Sequence, residues 1–256
     1  MKKLRLILVA VLLCLLFGVL SACNEAPAYD FIDGAFGYTF NDDGKTVTLS
    51  YWKDRSNGDI VIPVTAVNGD KTYTVTAIGN GAFAAQTGKL TLSDCFGKYT
   101  DVANNDLLSV TFAEGSQVTK IEGRAFEKCK KITSVVLPET VTEIEGFAFY
   151  KCTSLTTVTI GSKVKKLGDD CFNGCTALEE VYLNSTSVPE VGDRAFKWFD
   201  SSVTSFMGSA DPYKVIGGLN LIVTDDEMLK AFTSTGTSTN LNLRYWHDYK
   251  SCFKTV

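Results

Sequence analysis

A short segment recurs at a constant interval through the middle of this chain, with equal steps from Val118 to Val141 and from Val141 to Val164. Three successive copies keep an identical set of apolar slots and end on a cysteine. The slots are Val118-Ile121-Ala125-Phe126-Cys129, Val141-Ile144-Ala148-Phe149-Cys152 and Val164-Leu167-Cys171-Phe172-Cys175. A fixed period of this length is the signature of a solenoid, because one short coil buries its apolar side only when a neighbouring coil covers it. The period therefore predicts a stack of coils.

Two less regular copies flank the three regular ones. Val188 starts a copy that reaches Phe196 and follows the preceding copy after a step stretched by one residue. Val75 starts an earlier copy that reaches Phe83 and is then interrupted by an insertion at about 86–106. These five copies define a repeat region over residues 75–210, with atypical outer units as expected of a solenoid.

Within one copy the residue pattern predicts a short strand followed by a bend. Val135 and Leu137 alternate with Ser134 and Val136, which is the period of a strand with one buried face. The segment 124–129 suits a single helical turn, and a glycine near its start permits the bend. That glycine recurs as Gly123, Gly146, Gly168 and Gly192. The expected fold class is a β-rich repeat solenoid with short helical turns.

One full repeat contains Leu137-Pro138, Val141, Ile144, Ala148-Phe149, Cys152, Leu155, Val158 and Ile160. This string resembles the BspA-like class of leucine-rich repeats. The resemblance covers about residues 75–210, with a lead-in from Ile62-Pro63. It implies a right-handed leucine-rich-repeat coil with capping segments. Proteins of this class occur largely on bacterial surfaces, and some members attach to host matrix proteins.

The first residues have the order of an export signal. Lys2, Lys3 and Arg5 precede the apolar run from Leu6 to Leu20. The following Ser21-Ala22-Cys23 completes a string that resembles the lipobox of bacterial lipoproteins. The resemblance implies that residues 1–22 are removed and that Cys23 is acylated. The chain would then be lipid-anchored to the bacterial envelope and surface-exposed, on the outer membrane in a Gram-negative cell. An ordinary secretory signal and an uncleaved anchor are the alternatives.

The remaining segments have the composition of a tether and two caps. Residues 23–30 form the lipidated tether. Residues 31–74 read as a β-rich N-terminal cap, because Asp42-Asp43-Gly44 and Asn68-Gly69 are hairpin turns between β-type runs. Residues 211–256 are interpreted as a C-terminal cap. It has a last strand at 219–223, then a helix that begins with acidic residues, and an aromatic closing segment at 245–249.

The charge balance disfavours a nucleic-acid partner. Loss of Lys2, Lys3 and Arg5 with the signal moves the formal charge from −4 to −7, whereas a nucleic-acid footprint needs clustered Lys and Arg. The short lysine runs inside the repeats are interleaved with carboxylates and read as solvated faces.

The pattern of cysteines and the single histidine does not indicate a catalytic site. Cys129, Cys152 and Cys175 form a linear ladder, which lacks the converging geometry of a metal site and suits buried free thiols. Cys171 and Cys175 are the one local pair that could form a disulfide, and the states of Cys95 and Cys252 are open. His247 with Asp248 and Cys252 has no supporting element. We therefore expect no catalytic site, metal or cofactor.

The outward slots of the strands are the candidate binding face, because repeat arrays bind through an extended surface. The candidate partner-binding residues are Val136, Thr157, Thr159, Glu180 and Tyr182, with Trp198 as a further anchor. Strand preference alone could also explain the β-branched residues. The expected partner is a protein of the host or its matrix. The alternative is a glycan, bound by a surface lipoprotein for nutrient capture.

The lipid anchor is testable by metabolic labelling. We expect radiolabelled palmitate to enter the parent chain and to be lost in Cys23→Ala, because that thiol is the acceptor. Cys14→Ala is the matched control and should label like the parent. Label that survives Cys23→Ala would refute the anchor.

Overall fold

The computed structural model describes residues 29–84, 103–199, 213–223, 229–231, 249 and 251–255. The whole of this part falls within a single compact unit. It consists mainly of strands and hydrogen-bonded turns, and residues 229–231 are helical. No helix in these ranges is long and apolar enough to cross a membrane. The residues of the export signal and tether up to Ala28 lie outside the described residues.

The N-terminal part of the unit is a sheet of mostly antiparallel strands. Its strands are β1 (Phe31–Asp33), β2 (Phe36–Phe40), β3 (Thr46–Trp52), β5 (Thr65–Asn68) and β6 (Lys71–Ile78), whereas β4 (Asp59–Ile62) belongs to a separate two-stranded sheet. β1, β2 and β3 are antiparallel, as are β5 and β6, while β3 runs parallel to β6. Tyr29 stacks on Tyr51, and the Asp30 N–H donates to the Tyr38 carbonyl at 2.8 Å. The contacts of this sheet thus begin at Tyr29, before the boundary at residue 31 that the sequence predicts.

Each repeat contributes one longer and one shorter strand. The longer strands are β7 (Ser109–Phe112), β9 (Ser134–Val136), β11 (Thr157–Ile160) and β13 (Glu180–Leu183). The shorter strands are β8 (Lys120–Ile121), β10 (Glu143–Ile144), β12 (Lys166–Leu167) and β14 (Glu190–Val191). The shorter strands extend the N-terminal sheet in parallel, in the order β6-β8-β10-β12-β14. The coils therefore stack in constant register along this side.

Three of the longer strands, β9, β11 and β13, form a second parallel sheet, which continues beyond the recognisable repeats, whereas β7 pairs with β4 in a separate sheet. The remaining strands are β15 (Lys197–Phe199), β16 (Tyr213–Val215), β17 (Asn220–Val223) and β18 (Phe253–Thr255). The second sheet has the order β18-β17-β13-β11-β9. Leu221 pairs with Val181, and this step is much longer than one repeat, which hides the period from sequence inspection. The strand at 219–223 is present but is not the last strand, because β18 pairs with it.

Hydrogen bonds also join the coils along the turns that connect the two sheets. The Phe126 N–H donates to the Ala148 carbonyl at 2.8 Å, and the Phe149 N–H donates to the Cys171 carbonyl at 2.7 Å. Within a coil, the Glu127 N–H donates to the Arg124 carbonyl, so segment 124–129 is a series of tight turns. Backbone groups in the turns are thus satisfied by neighbouring coils, as those of the short strands are.

A column of stacked phenylalanine rings runs through the core. Its members are Phe83, Phe126, Phe149, Phe172 and Phe196. Neighbouring ring centroids are 5.0 to 5.4 Å apart and the planes deviate by 8° or less. Aromatic rings end the column on both sides: Trp52 packs on Phe83, and Tyr249 meets Phe196 edge-on and accepts its N–H. Burying each ring stabilises the stack by about 1.5–3 kcal/mol.

The repeated glycines do not supply the bend that the sequence suggested. The left-handed backbone follows them, one residue after Gly123 and Gly146 and two residues after Gly168 and Gly192, with φ between 53° and 61° at Arg124, Phe147, Asp170 and Arg194. The glycines are needed for another reason, which is close stacking. A Cβ on Gly168 would lie 2.6 Å from the carbonyl carbon of Glu145 in the preceding coil, and closer still to the Gly146 nitrogen. A Cβ on Gly192 would likewise overlap the Asp169 nitrogen, so Gly168 and Gly192 allow these neighbouring coils to approach closely.

Gly168→Ala tests this close approach. We expect it to lower the free energy of unfolding by about 1–3 kcal/mol, since backbone must shift to admit the methyl group. Urea denaturation followed by circular dichroism measures the change. Gly217→Ala is the matched control, because a Cβ there meets nothing within 4 Å, and its effect should be within about 0.5 kcal/mol. Equal stabilities for the two variants would contradict the stacking role.

Candidate functional site

The outward side chains of the second sheet form two straight rows. Val136 pairs with Thr159, which pairs with Tyr182. Beside this row, Ser134 pairs with Thr157, which pairs with Glu180. The structure therefore brings five of the six sequence-predicted residues together on one surface, which we call the strand face. The parallel register of the coils is what aligns them.

The strand face is small and partly apolar, and Glu180 is the charged residue among the five. Val136 is 66% exposed, the highest exposure among the large apolar side chains of the described residues. Thr157, Thr159, Glu180 and Tyr182 are half-buried. The Tyr182 hydroxyl donates to the Glu180 carboxylate at 3.0 Å, and this bond raises the pKa of Tyr182. The pair holds the ring in one orientation on the surface.

Trp198 is not part of the strand face. It lies on β15, which pairs with β16 in a separate antiparallel sheet. The Trp198 side chain lies outside the described features, so its role as an anchor stays a prediction.

The strand face is interrupted on its N-terminal side. β7 pairs with β4, and β9 pairs with β11, but no hydrogen bond between described residues joins β7 to β9. A cavity of about 450 Å³ opens between them. We call it the β7–β9 cleft. Its lining comprises Val110, Thr111, Phe112, Ala113, Gly115, Ser116, Ser134, Val136, Leu137, Pro138, Glu139 and Thr140.

The first sheet displays charges of alternating sign. Lys120, Glu143, Lys166 and Glu190 occupy one register position on successive short strands. Lys120 Nζ lies 2.5 Å from Glu145 Oε1, and Lys166 Nζ lies 3.2 Å from Glu143 Oε1. A polar groove of about 590 Å³ lies along this row. In the lining of this groove Lys166 pairs with Glu143, whereas Asp169 and Glu190 have no ion pair among the described residues.

Glu145, which directly follows β10, contacts both a lysine and a backbone amide of the preceding coil. Burial opposes its ionisation, but hydrogen bonds from Lys120 and from the Gly123 N–H outweigh this effect and hold the pKa of Glu145 below its ordinary value. The same Lys120–Glu145 hydrogen bond raises the pKa of Lys120. The ion pair thus links one coil to the next through a side chain and a backbone amide.

The repeated thiols are buried and free. Cys129, Cys152 and Cys175 donate to phenylalanine carbonyls of a neighbouring coil at 3.0 to 3.3 Å. Burial raises the pKa of the Cys129, Cys152 and Cys171 thiols, so these groups stay protonated and unreactive. Cys171 and Cys175 are not joined by a disulfide. In the described ranges no three His, Cys, Asp or Glu side chains converge as a metal site. His247 and Cys95 lie outside these ranges.

Sequence inspection missed Asn104, which it assigned to the insertion. Asn104 is buried, and its Nδ2 donates to the Phe83 carbonyl at 2.6 Å. Its Oδ1 accepts the N–H groups of Asp106 and Leu107. The residue therefore starts the coil that carries β7. A buried Asn with two local bonds and one bond to a preceding coil leaves no periodic signal in the sequence.

Residues 102–211 match the sequence profile of the BspA type leucine rich repeat region, in six copies, against the five that the sequence period distinguishes over 75–210. The parallel coils of the structure and the match to the repeat profile indicate the same fold. The fold is a leucine-rich-repeat solenoid. The match is to a repeat scaffold, and no catalytic family is indicated. No curated protein sequence matches the chain.

Solved leucine-rich-repeat structures resemble the chain. A leucine-rich-repeat protein of T. pallidum is 25% identical with a TM-score of 0.51, over 65% of this chain and 66% of that one. The match thus spans just under two thirds of the T. pallidum protein. A leucine-rich-repeat protein of Bacteroides capillosus is 24% identical with a TM-score of 0.46, over 60% of this chain and 98% of that one. A leucine rich cell surface protein of Faecalibacterium prausnitzii is 22% identical with a TM-score of 0.28, over 75% and 62%.

The Lys120–Glu145 link predicts a defined acid response. A carboxyl group with a lowered pKa in the folded state stabilises the fold above its unfolded pKa, and this contribution is lost as the pH falls through the folded pKa. In Glu145→Gln we expect lower stability at neutral pH and a smaller loss of stability between about pH 5 and pH 3. Denaturant titrations across this range measure both. Glu114→Gln, an exposed change after β7, should follow the parent curve. If the stability of Glu145→Gln falls with decreasing pH as steeply as that of the parent chain, the Lys120–Glu145 link is refuted.

Proposed function

We infer that this chain is an exported protein, held to the bacterial envelope through lipid on Cys23, that binds a protein partner with its strand face. The observation that carries the inference is the outward row Val136, Thr159 and Tyr182, which crosses three parallel strands in fixed register. A rigid sheet presents such a row without further ordering, so little conformational entropy is lost on binding. The leucine-rich-repeat scaffold supports a binding role.

The composition of the strand face supports a protein partner over a glycan. Sugar-binding surfaces use exposed aromatic rings in a common plane, whereas Tyr182 is the single aromatic among the described outward residues of β9, β11 and β13. Its hydroxyl is bonded to Glu180. Protein interfaces concentrate energy on a few aromatic or aliphatic anchors surrounded by small polar residues. Tyr182 and Val136 among threonines and serines fit that arrangement.

The buried thiols support a role in binding rather than catalysis. A nucleophilic cysteine needs exposure and a lowered pKa, and Cys129, Cys152 and Cys171 have neither. In the groove on the first sheet, Lys166 pairs with Glu143 and Glu145 pairs with Lys120. The strand face offers the exposed Val136 side chain and half-buried threonines to a partner.

Binding to host matrix proteins tests the proposal. The soluble chain 24–256 is screened against a panel of extracellular-matrix proteins and a glycan array. We expect saturable binding to a matrix protein, weakened about tenfold or more by Tyr182→Ala, since anchor truncations cost at least about 2 kcal/mol. Tyr150→Ala on the turn side is the matched control and should bind like the parent. Binding to glycans alone, or equal effects of the two variants, would contradict the proposal.

A further inference from the structure

Three neighbouring strands of the N-terminal sheet present a row of outward residues. Ile32 on β1 pairs with Gly37 on β2, and Gly37 pairs with Tyr51 on β3. Because residues that pair across strands project from the same side of a sheet, Ile32 and Tyr51 lie on one surface. The Tyr29 side chain covers Gly37 between them, since a Cβ on Gly37 would lie 2.9 Å from Tyr29 Cγ. We call the surface formed by these four residues the cap face.

The cap face is apolar and aromatic. Tyr29 is 39% exposed and Ile32 is 37% exposed, while Tyr51 is half-buried. The rings of Tyr29 and Tyr51 are parallel, with their centroids 5.8 Å apart. A tyrosine ring has an apolar body and a polar hydroxyl, and tyrosine is therefore enriched where a protein meets the membrane–water interface. The composition of the cap face suits that interface.

The position of the cap face in the chain determines what lies near it. Tyr29 follows Cys23 by six residues. A fully extended chain spans about 3.3–3.6 Å per residue, so lipid on Cys23 would keep Tyr29 within about 20 Å of the bilayer. A short tether also gives an effective concentration on the order of millimolar, so a contact that is weak in free solution is occupied once the chain is anchored. The anchored chain therefore holds the cap face beside a membrane surface.

The charged groups around the cap face favour a zwitterionic membrane over an anionic one. The Asp30 carboxylate accepts the Phe40 N–H at 2.7 Å, and the Asp33 carboxylate accepts the Val67 N–H at 2.8 Å. Both carboxylates are bonded to the protein's own backbone, but their negative charge would be repelled by a surface of anionic headgroups. Lys53 directly follows β3 and is exposed, so it supplies a cation for the phosphate of a zwitterionic headgroup.

We propose that the cap face lies in the headgroup region of the bilayer that holds the lipid on Cys23. The two tyrosine rings sit at the boundary between headgroups and acyl chains, with Ile32 beside them. Because the short strands of the repeats extend this same N-terminal sheet, the contact also fixes the orientation of the repeats on the membrane. This proposal rests on the proposed function, since that function includes the lipid on Cys23.

A fluorescent probe on the cap face tests the contact. The chain 24–256 with Cys95→Ser and an N-terminal hexahistidine tag is held on phosphatidylcholine vesicles that contain a nickel-chelating lipid. Ile32→Cys carries a nitrobenzoxadiazole fluorophore, and the native thiols of the described residues are buried and do not compete for it. Val61→Cys, on β4 and 58% exposed, is the matched probe site.

Spin-labelled phosphatidylcholine reports the distance of each probe from the bilayer. We expect quenching at position 32 to exceed quenching at position 61 by at least about twofold, because a face at the boundary between headgroups and acyl chains brings its probe to the lipid. Equal quenching at the two positions would overturn the proposal.

Two tyrosine substitutions identify the side chains that make the contact. With the fluorophore at position 32, Tyr51→Ser should lose most of the additional quenching, because it removes an interfacial ring while Tyr29 still covers Gly37. Tyr150→Ser is the matched control: Tyr150 is also half-buried but lies in a turn of the repeats, and this variant should be quenched like the parent. Equal quenching in the two variants would overturn the proposal. So would maltohexaose, a soluble oligosaccharide, if it shifted the fluorophore emission without vesicles as strongly as the vesicles do.

The outcomes separate the cap face from the proposed function, because the tag holds the chain on vesicles whether or not Cys23 is acylated in the cell. Palmitate labelling that is lost in Cys23→Ala, together with equal quenching at positions 32 and 61, would remove the membrane contact and leave the proposed anchor standing. Stronger quenching at position 32, without palmitate labelling of the parent chain, would support the cap face and contradict the lipid anchor.

Discussion

Contact between neighbouring coils is the interaction on which the rest of this structure depends. Each coil has an apolar flank that only the next coil covers, and the stacked rings from Phe83 to Phe196 are the continuous part of that contact. The same spacing allows the Phe149 N–H to reach the Cys171 carbonyl and the Cys152 thiol to reach the Phe126 carbonyl. It also excludes a side chain at Gly168. The requirement that neighbouring coils stack closely therefore fixes the residue type at the phenylalanine, cysteine and glycine positions.

The constant register has a direct consequence for function. Because every inward slot is fixed by stacking, the outward residues of the long strands are the positions where sequence is free to match a partner. The row Val136, Thr159 and Tyr182 results from this arrangement. Between β7 and β9 the parallel pairing is absent, and a cavity lies beside the same row. Stacking and its interruption together shape the proposed binding surface.

Periodicity reveals only what repeats. The sequence therefore predicted the solenoid, the buried cysteine slot and the outward positions of Thr157 and Glu180, since each of these features recurs once in every regular copy. It predicted the wrong role for Gly168, because a bend and a close approach between coils both favour glycine. It gave no indication of the β7–β9 cleft or of β18, since both depend on contacts between segments with irregular spacing. Asn104 was missed because its role is a set of individual hydrogen bonds.

Native-state hydrogen exchange in Phe149→Ala tests the dependence of each coil on its neighbours most directly. The amides of Phe126 and Phe172 donate to the next coil, as the amide of residue 149 does. Truncating a buried phenylalanine costs about 3–5 kcal/mol. The account predicts that protection of the amides at Phe126 and Phe172 falls together with that at position 149, by about two orders of magnitude or more. Parental protection at Phe126 and Phe172, with loss confined to position 149, would contradict it.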